Sequence, residues 1–155
     1  MFIYMQVDQI KGVGDEPRPD WIWLDQCTFG FERKETSTEK TSEAPETKVR
    51  AVASSVAISK PSDLSTPSLV SWMASGQPRK VKIEYSLVTD LPYVEFTLTN
   101  AVLNSYSSSF EASGTGGSVI ETLSIEYEDI ELDYWEQGQT NEDAALSSFK
   151  LEAGA

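Results

Sequence analysis

Residues 119–135 read VIETLSIEYEDIELDYW, an alternation of apolar and polar residues that changes phase halfway along. Leu123 and Ile125 occupy odd positions, whereas Ile130 and Leu132 occupy even positions. Because successive side chains of a strand point to opposite faces, an extra residue between the two pairs is needed to keep both on one face. The pattern therefore predicts a long strand with a β-bulge near residues 128–129, where a sheet bends toward a barrel.

The same two-residue alternation recurs along the chain, with β-branched and aromatic residues prominent in it. Val81 and Ile83, for example, alternate with Lys82 and Glu84, which makes one face apolar and the other polar. These segments predict a mainly β fold, a barrel or a tightly curved sandwich, in a single domain over residues 1–155. The predicted strands cover residues 2–7, 21–31, 49–58, 80–88, 93–106, 119–135 and 147–151.

One segment departs from this pattern and predicts an α-helix over about residues 66–76. Thr66 can cap its amino end, and Pro67 fits the first helical position, where its missing N–H is not needed. Gly76 can adopt the left-handed conformation that ends a helix. An apolar stripe at helical spacing predicts that this helix flanks the barrel.

Residues 32–48 consist of Thr, Ser, Glu, Lys, Arg and Ala with one proline and no large apolar residue. Such a segment cannot bury itself, so we expect an extended surface loop. Two interpretations remain open: a mobile loop in the isolated monomer, or an arm that becomes ordered against another subunit.

The charge of the chain restricts its partners. Lys and Arg number 12 against 25 Asp and Glu, a formal charge of −13, so the chain repels nucleic acid phosphates and anionic lipid headgroups. Neither nucleic acid nor a membrane is therefore an expected partner. The single cysteine, Cys27, cannot form an internal disulfide, which fits synthesis in the cytoplasm. Residues 1–10 lack the features of a cleavable export signal.

The sequence offers little chemistry for catalysis. It contains no histidine, which removes the usual general base and the usual zinc ligand. The carboxylates of residues 126–136 alternate with apolar residues, so we place most of them on a solvated or subunit-contacting face rather than in an active site. We therefore predict no enzyme activity, no catalytic or metal-binding residue and no cofactor.

Several segments resemble, in the same order and spacing, those of the hemolysin-coregulated protein (Hcp) family of type VI secretion systems. The first strand and its glycine turn correspond to IYMQVDQIKG at residues 3–12, and the second strand to IWLDQCTFG at residues 22–30. The helix motif corresponds to TPSL at residues 66–69 with Gly76. The fullest match is ETLSIEYEDIELDY at residues 121–134.

The resemblance implies a β-barrel of two curved antiparallel sheets with one flanking α-helix, and a structural subunit rather than an enzyme. In this family, six copies form a ring, and the rings stack into a tube that associates with a sheath, a spike and effector proteins. The tube is secreted without a cleavable signal peptide. The resemblance implies that Thr28 faces the lumen and its effectors. It also implies that the segment at residues 32–48 contacts the neighbouring subunit, through the charged residues Glu32, Arg33, Lys34, Glu35, Lys40, Glu43, Glu46 and Lys48.

Two alternatives remain from the residues alone. A bacteriophage tail-tube protein has a similar architecture and differs mainly in its neighbouring genes. A monomeric carbohydrate-binding β module would use exposed members of the four tryptophans to stack on sugars, and it would form no ring.

Overall fold

The computed structural model describes residues 1–15, 18–38, 46–86, 94–135 and 147–152, which form eleven strands and one helix. The elements in chain order are β1 (Phe2–Val7), β2 (Ile22–Leu24), β3 (Gln26–Thr28), β4 (Phe31–Thr38), β5 (Glu46–Ala53), β6 (Val56–Pro61), α1 (Thr66–Ser75), β7 (Arg79–Ser86), β8 (Val94–Ser113), β9 (Gly116–Glu126), β10 (Asp129–Tyr134) and β11 (Ser147–Leu151).

Nine of these strands form one antiparallel path that β8 divides into two sheets. The β7 sheet has the order β2-β1-β7-β8-β10-β11, and the β9 sheet has the order β8-β9-β6-β3. The predicted mainly β class is confirmed. The path does not close through hydrogen bonds, however, because its end strands β2 and β3 are joined only through the chain at Asp25. The Asp25 N–H instead donates to the Ser59 carbonyl at 2.8 Å.

The turn from one sheet to the other lies where the sequence predicts a bulge. The predicted single strand over 119–135 is instead two strands, β9 and β10, which separate at Tyr127 and Glu128. Opposite this break, Asn100 bends β8 with a left-handed φ of 52°, a conformation that asparagine tolerates. The Asn100 amide donates to the Glu128 carboxylate at 2.8 Å, and the Glu128 N–H donates to the Thr99 carbonyl at 3.1 Å.

Helix α1 flanks the sheets and packs mainly against β8. It ends as predicted, since Gly76 has a φ of 64° and its N–H donates to the Trp72 carbonyl at 3.1 Å. Its start differs from the prediction, because Ser65 occupies the cap position in place of Thr66. The Thr66 hydroxyl instead donates to the buried Glu121 carboxylate and accepts from the Asp63 N–H at 3.1 Å.

The core lies between the two sheets and beneath the helix. Leu69 and Trp72 supply the buried face of α1. Further fully buried apolar side chains come from both sheets, which therefore share one core; they include Met5, Ile22, Ile58, Ile83, Phe96, Leu98, Leu123, Ile125 and Ile130.

The structure corrects the prediction of a loop over about residues 32–48. Strands β4 and β5 pair in eight steps, from Phe31 with Ala53 to Thr38 with Glu46, so this arm is a β-hairpin. Backbone hydrogen bonds between two strands require no apolar side chains, and threonine favours the extended conformation. Among the described residues, neither β4 nor β5 pairs with the nine-stranded path. Residues 39–45, with Lys40 and Glu43, lie outside the described part.

Candidate assembly surfaces

The middle of the solvent face of the β9 sheet carries uncharged side chains in two rows, between Glu126 at one end and Ile120 and Glu111 at the other. In one row, Thr28 lies beside Ala57, Ala57 beside Ser124, and Ser124 beside Ser105. The next row consists of Gln26, Ser59, Thr122 and Ser107. We call the eight residues the hydroxyl face: Gln26, Thr28, Ala57, Ser59, Ser105, Ser107, Thr122 and Ser124.

Thr28 is an exposed member of the hydroxyl face and the last residue of β3. Its neighbour Cys27 points the other way, toward the core, in a row with Ile58, Leu123 and Tyr106. Burial raises the pKa of the Cys27 thiol to about 11, so the thiolate is scarce at neutral pH. The exposed residue of this pair is therefore the hydroxyl and not the thiol.

The face of the β7 sheet that points away from the core has a different chemistry, with acidic side chains in register, and its residues Tyr4 and Glu84 are buried. Tyr4 lies beside Glu84, Glu84 beside Glu95, and Glu95 beside Asp133. The Arg18 guanidinium forms a buried ion pair with Glu84. Burial, a hydrogen bond with the Glu84 side chain and the charge of that carboxylate together raise the pKa of Glu95 to about 8. Glu95 is therefore mostly protonated at pH 7.

The charged residues predicted for an inter-subunit arm are distributed over the β4–β5 hairpin. Glu32, Arg33 and Lys34 are exposed on β4. Glu35 on β4 and Glu46 and Lys48 on β5 have described backbone positions, with Glu46 opposite Thr38. Aromatic rings hold the base of the hairpin against the sheet. The ring centroids of Phe31 and Phe149 are 5.6 Å apart, and those of Phe29 and Phe31 are 5.7 Å apart.

One surface was not predicted from the sequence, the far end of the β8–β9 hairpin. The sequence predicts that the strand before it ends at residue 106, but β8 continues to Ser113 and pairs with β9 as far as Gly116. At this end Phe110 is 74% exposed and Ile120 is 47% exposed. The available signal was Phe110, a large apolar residue at the end of a polar, serine-rich run, SYSSSF at residues 105–110.

The described residues contain no group of three or more Cys, Asp or Glu side chains placed to hold a metal ion. Within the same part of the chain, no helix has the length and apolar character needed to cross a membrane.

The chain shares its fold with several solved structures. One is described as a type six secretion system protein, with a TM-score of 0.75, 20% identity, and coverage of 97% of this chain and 94% of that one. Hcp1 from Salmonella typhimurium has a TM-score of 0.72 and 18% identity, with 96% and 91% covered. The anti-feeding prophage baseplate has a TM-score of 0.54 and 16% identity, with 84% and 90% covered.

A search of curated proteins found no match. The family model described as "Type VI secretion system effector, Hcp" matches residues 4–134. This match spans all strands from β2 to β10 and the helix, together with most of β1. The chain therefore belongs to the Hcp family of type VI secretion systems.

Proposed function

We propose that this chain is the structural subunit of a type VI secretion tube, in which six copies close into a ring and rings stack end to end. The observation that carries the proposal is the uncharged hydroxyl face, which lies between two unpaired sheet edges on a chain with a formal charge of −13. A surface that lines a channel must let cargo pass, and short hydroxyl side chains neither block nor strongly repel it.

The β9 sheet supplies two different edges for ring closure. At one edge, β3 is three residues long. At the other, residues 102–106 of β8, just after the bend at Asn100, pair with β9 and with no second strand of the described chain. Because the two edges differ, a contact between them is heterologous, and a rotation of one-sixth of a turn per copy closes it into a ring. Ring closure also covers two strand edges that could otherwise pair with strands of other chains and cause aggregation.

In this arrangement the hydroxyl face of each copy lines the lumen, with Thr28 next to the interface. The acidic face of the β7 sheet then lies on the opposite side of the molecule, toward the sheath. We assign Thr28 the role of contacting effector proteins during transport.

The β4–β5 hairpin is the proposed contact to the neighbouring subunit. Its exposed Glu32, Arg33 and Lys34 present both signs of charge, which suits ion pairs with a copy that carries the same mixture. We assign the same contact to the other charged residues of the hairpin and its connection: Glu35, Lys40, Glu43, Glu46 and Lys48.

The remaining assignments follow from tube function. The partners are the other copies in the ring, the stacked rings, the sheath, the spike and the effectors. The chain acts through assembly rather than catalysis, and it leaves the cell with the tube instead of through a cleavable signal.

Native mass spectrometry followed by negative-stain imaging tests the proposal. Six chains of 17.2 kDa give an expected mass of about 103 kDa, seen as rings with an open centre. A monomer throughout the micromolar range would contradict the proposal, and binding of polysaccharides would then test the carbohydrate-binding alternative. Neighbouring genes for a sheath and a disassembly ATPase would distinguish the secretion tube from a phage tail tube.

A further inference from the structure

The far end of the β8–β9 hairpin, residues 107–120, is a surface without a partner in the monomer. We call it the hairpin tip. Phe110 lies beside Val119 on one face, and Ile120 lies on the other face. A phenylalanine that is 74% exposed at the end of a projecting hairpin is unusual for a surface that contacts only water. In a chain with 24% charged residues, Glu111 is the only charged residue of the tip.

A second apolar surface of the described chain lies where β8 begins. This apolar groove, of about 270 Å³, is formed mainly by apolar and aromatic side chains, and Asp133 is its only charged lining residue. A cavity of about 150 Å³ accommodates a benzene molecule, so the groove has room for a phenyl ring and a neighbouring aliphatic group. Its apolar lining consists of Phe29, Tyr85, Val94, Phe96, Leu132 and Phe149.

The tip and the groove lie at opposite ends of the molecule along the strands of the β9 sheet. Pro61 pairs with Ile120 at the end next to the tip, and Val56 pairs with Ile125 at the other end. Strand β3 runs toward this second end, where Phe29 leaves it for the groove and packs on Phe96 at a centroid distance of 4.3 Å. The tip of one copy therefore cannot reach its own groove.

We infer that the hairpin tip inserts into the apolar groove of a second copy in the next ring, with Phe110 as the inserted side chain. This inference rests on the proposed function, since a stack of identical rings in one orientation brings the tip end of one layer against the groove end of the next. An exposed apolar group and a complementary pocket elsewhere on the same molecule generate a heterologous contact that propagates without limit. A tube of stacked rings is built from contacts of this kind.

Charge supports the same partner. Six chains of −13 give a ring a formal charge of −78, so two rings repel wherever their contact surfaces are charged. The tip contributes one carboxylate and the groove another, which makes these the surfaces where two acidic rings approach at the lowest electrostatic cost. Insertion also removes the exposed ring of Phe110 from water.

Disulfide trapping tests the contact directly. In a chain with Cys27→Ala, we place Ala112→Cys on the tip and Ser147→Cys at the groove. Oxidation of concentrated rings should give a ladder of two, three and more linked chains, because every chain carries both ends of the contact. Either cysteine alone should leave single chains on a denaturing gel. Dimers from Ala112→Cys alone would mean that tips meet tips, and hexamers of the double variant without a ladder would also overturn the inference.

A second variant separates stacking from ring closure. Phe110→Ser should leave the hexamer intact and weaken ring stacking by at least about tenfold, the loss expected when a buried aromatic anchor is removed. Phe2→Ser, which removes a phenylalanine that is 40% exposed on β1, is the matched control and should stack normally. Normal stacking of Phe110→Ser would overturn the inference. Failure of the unmodified chain to form hexamers would overturn the proposed function instead, so the two failures are distinguishable.

Discussion

At the scale of single residues, Glu95 links pH to the stability of the subunit. Its carboxyl faces Glu84 and Lys82 on β7 and Asp133 on β10, and Arg18 pairs with Glu84 beside it. Because the pKa of Glu95 is about 8 in the folded chain and near 4.5 when the chain is unfolded, the folded state holds an extra proton between these values. The free energy of unfolding contributed by this group is therefore greatest below pH 4.5 and decreases as the pH rises to 8.

We expect Glu95→Gln to remove this dependence while keeping a hydrogen-bond donor toward Glu84. The free energy of unfolding of the variant should equal that of the unmodified chain near pH 5. At pH 8.5 it should be higher by at least about 1.4 kcal/mol, the free energy that corresponds to a pKa difference of 1. Urea denaturation at both pH values measures the difference. Glu126→Gln, at an exposed position of β9, is the control and should change little. An equal effect of Glu95→Gln at both pH values would contradict the assignment.

Lys60 carries a fully buried charge. Its ammonium lies 2.8 Å from the Glu121 carboxylate and 3.1 Å from that of Asp63, and neither Lys60 nor Glu121 is exposed to solvent. Burial alone would raise the pKa of Glu121, but hydrogen bonds from Lys60, Thr66 and Tyr106 lower it below its ordinary value. The pair therefore ties the start of the helix to the β9 sheet.

We expect Lys60→Met to lower the free energy of unfolding by about 3–5 kcal/mol, because it leaves the Glu121 carboxylate buried without its cation. Lys82→Met removes a partly exposed ammonium whose neighbour Glu95 is mostly protonated at pH 7, so it should cost at most about 1 kcal/mol, which makes it the matched control. The double variant Lys60→Met with Glu121→Leu should recover much of the loss. Chemical denaturation of the four proteins measures these values, and equal losses for the two lysine variants would refute the argument.

At the scale of elements, Gly12 fixes the turn between β1 and β2. A Cβ at this position would lie 2.4 Å from the Trp21 carbonyl oxygen, closer than any packing allows, so the backbone would have to move. We expect Gly12→Ala to lower the melting temperature by several degrees, since a cost of about 2 kcal/mol corresponds to about 5–8 °C in a chain of this size. Gly114→Ala, where a Cβ meets open space, should be neutral. Calorimetry of both variants checks the contrast.

The elements also show what the sequence could and could not predict. Strands β1 and β11 and the end of the helix at Gly76 were predicted correctly, because alternation and the glycine stop are local signals. The arm was wrongly predicted as a loop, since pairing between two polar strands depends on backbone hydrogen bonds that composition does not reveal. The hydroxyl face required the register of four strands from distant parts of the chain. The residues that surround Thr28 were therefore not predictable from its own segment.

At the scale of the whole molecule, the outward faces of the two sheets differ in charge. The hydroxyl face carries no charge, whereas the face of the β7 sheet carries Glu84, Glu95 and Asp133. In the proposed ring, with the first face inward, Glu84, Glu95 and Asp133 lie away from the transported cargo. We expect Thr28→Glu to place a ring of six carboxylates in the lumen, leaving the hexamer intact and weakening the association of acidic effectors. Co-purification of a given effector with both rings measures this, with exposed Ser105→Glu as a comparison within the same face.

The dependence of ring stacking on salt concentration tests whether charge repulsion opposes stacking and an apolar contact favours it. Rings with a formal charge of −78 repel over about 30 Å at 0.01 M salt but over only about 8 Å at 0.15 M, so screening should favour stacking. An apolar contact through Phe110 does not weaken as salt is added. We therefore expect free hexamers in dilute low-salt buffer, and tubes as salt or protein concentration rises, followed by light scattering and electron microscopy. Tubes that form in dilute low-salt buffer and dissolve as salt is added would show that ion pairs, and not apolar insertion, hold the rings together.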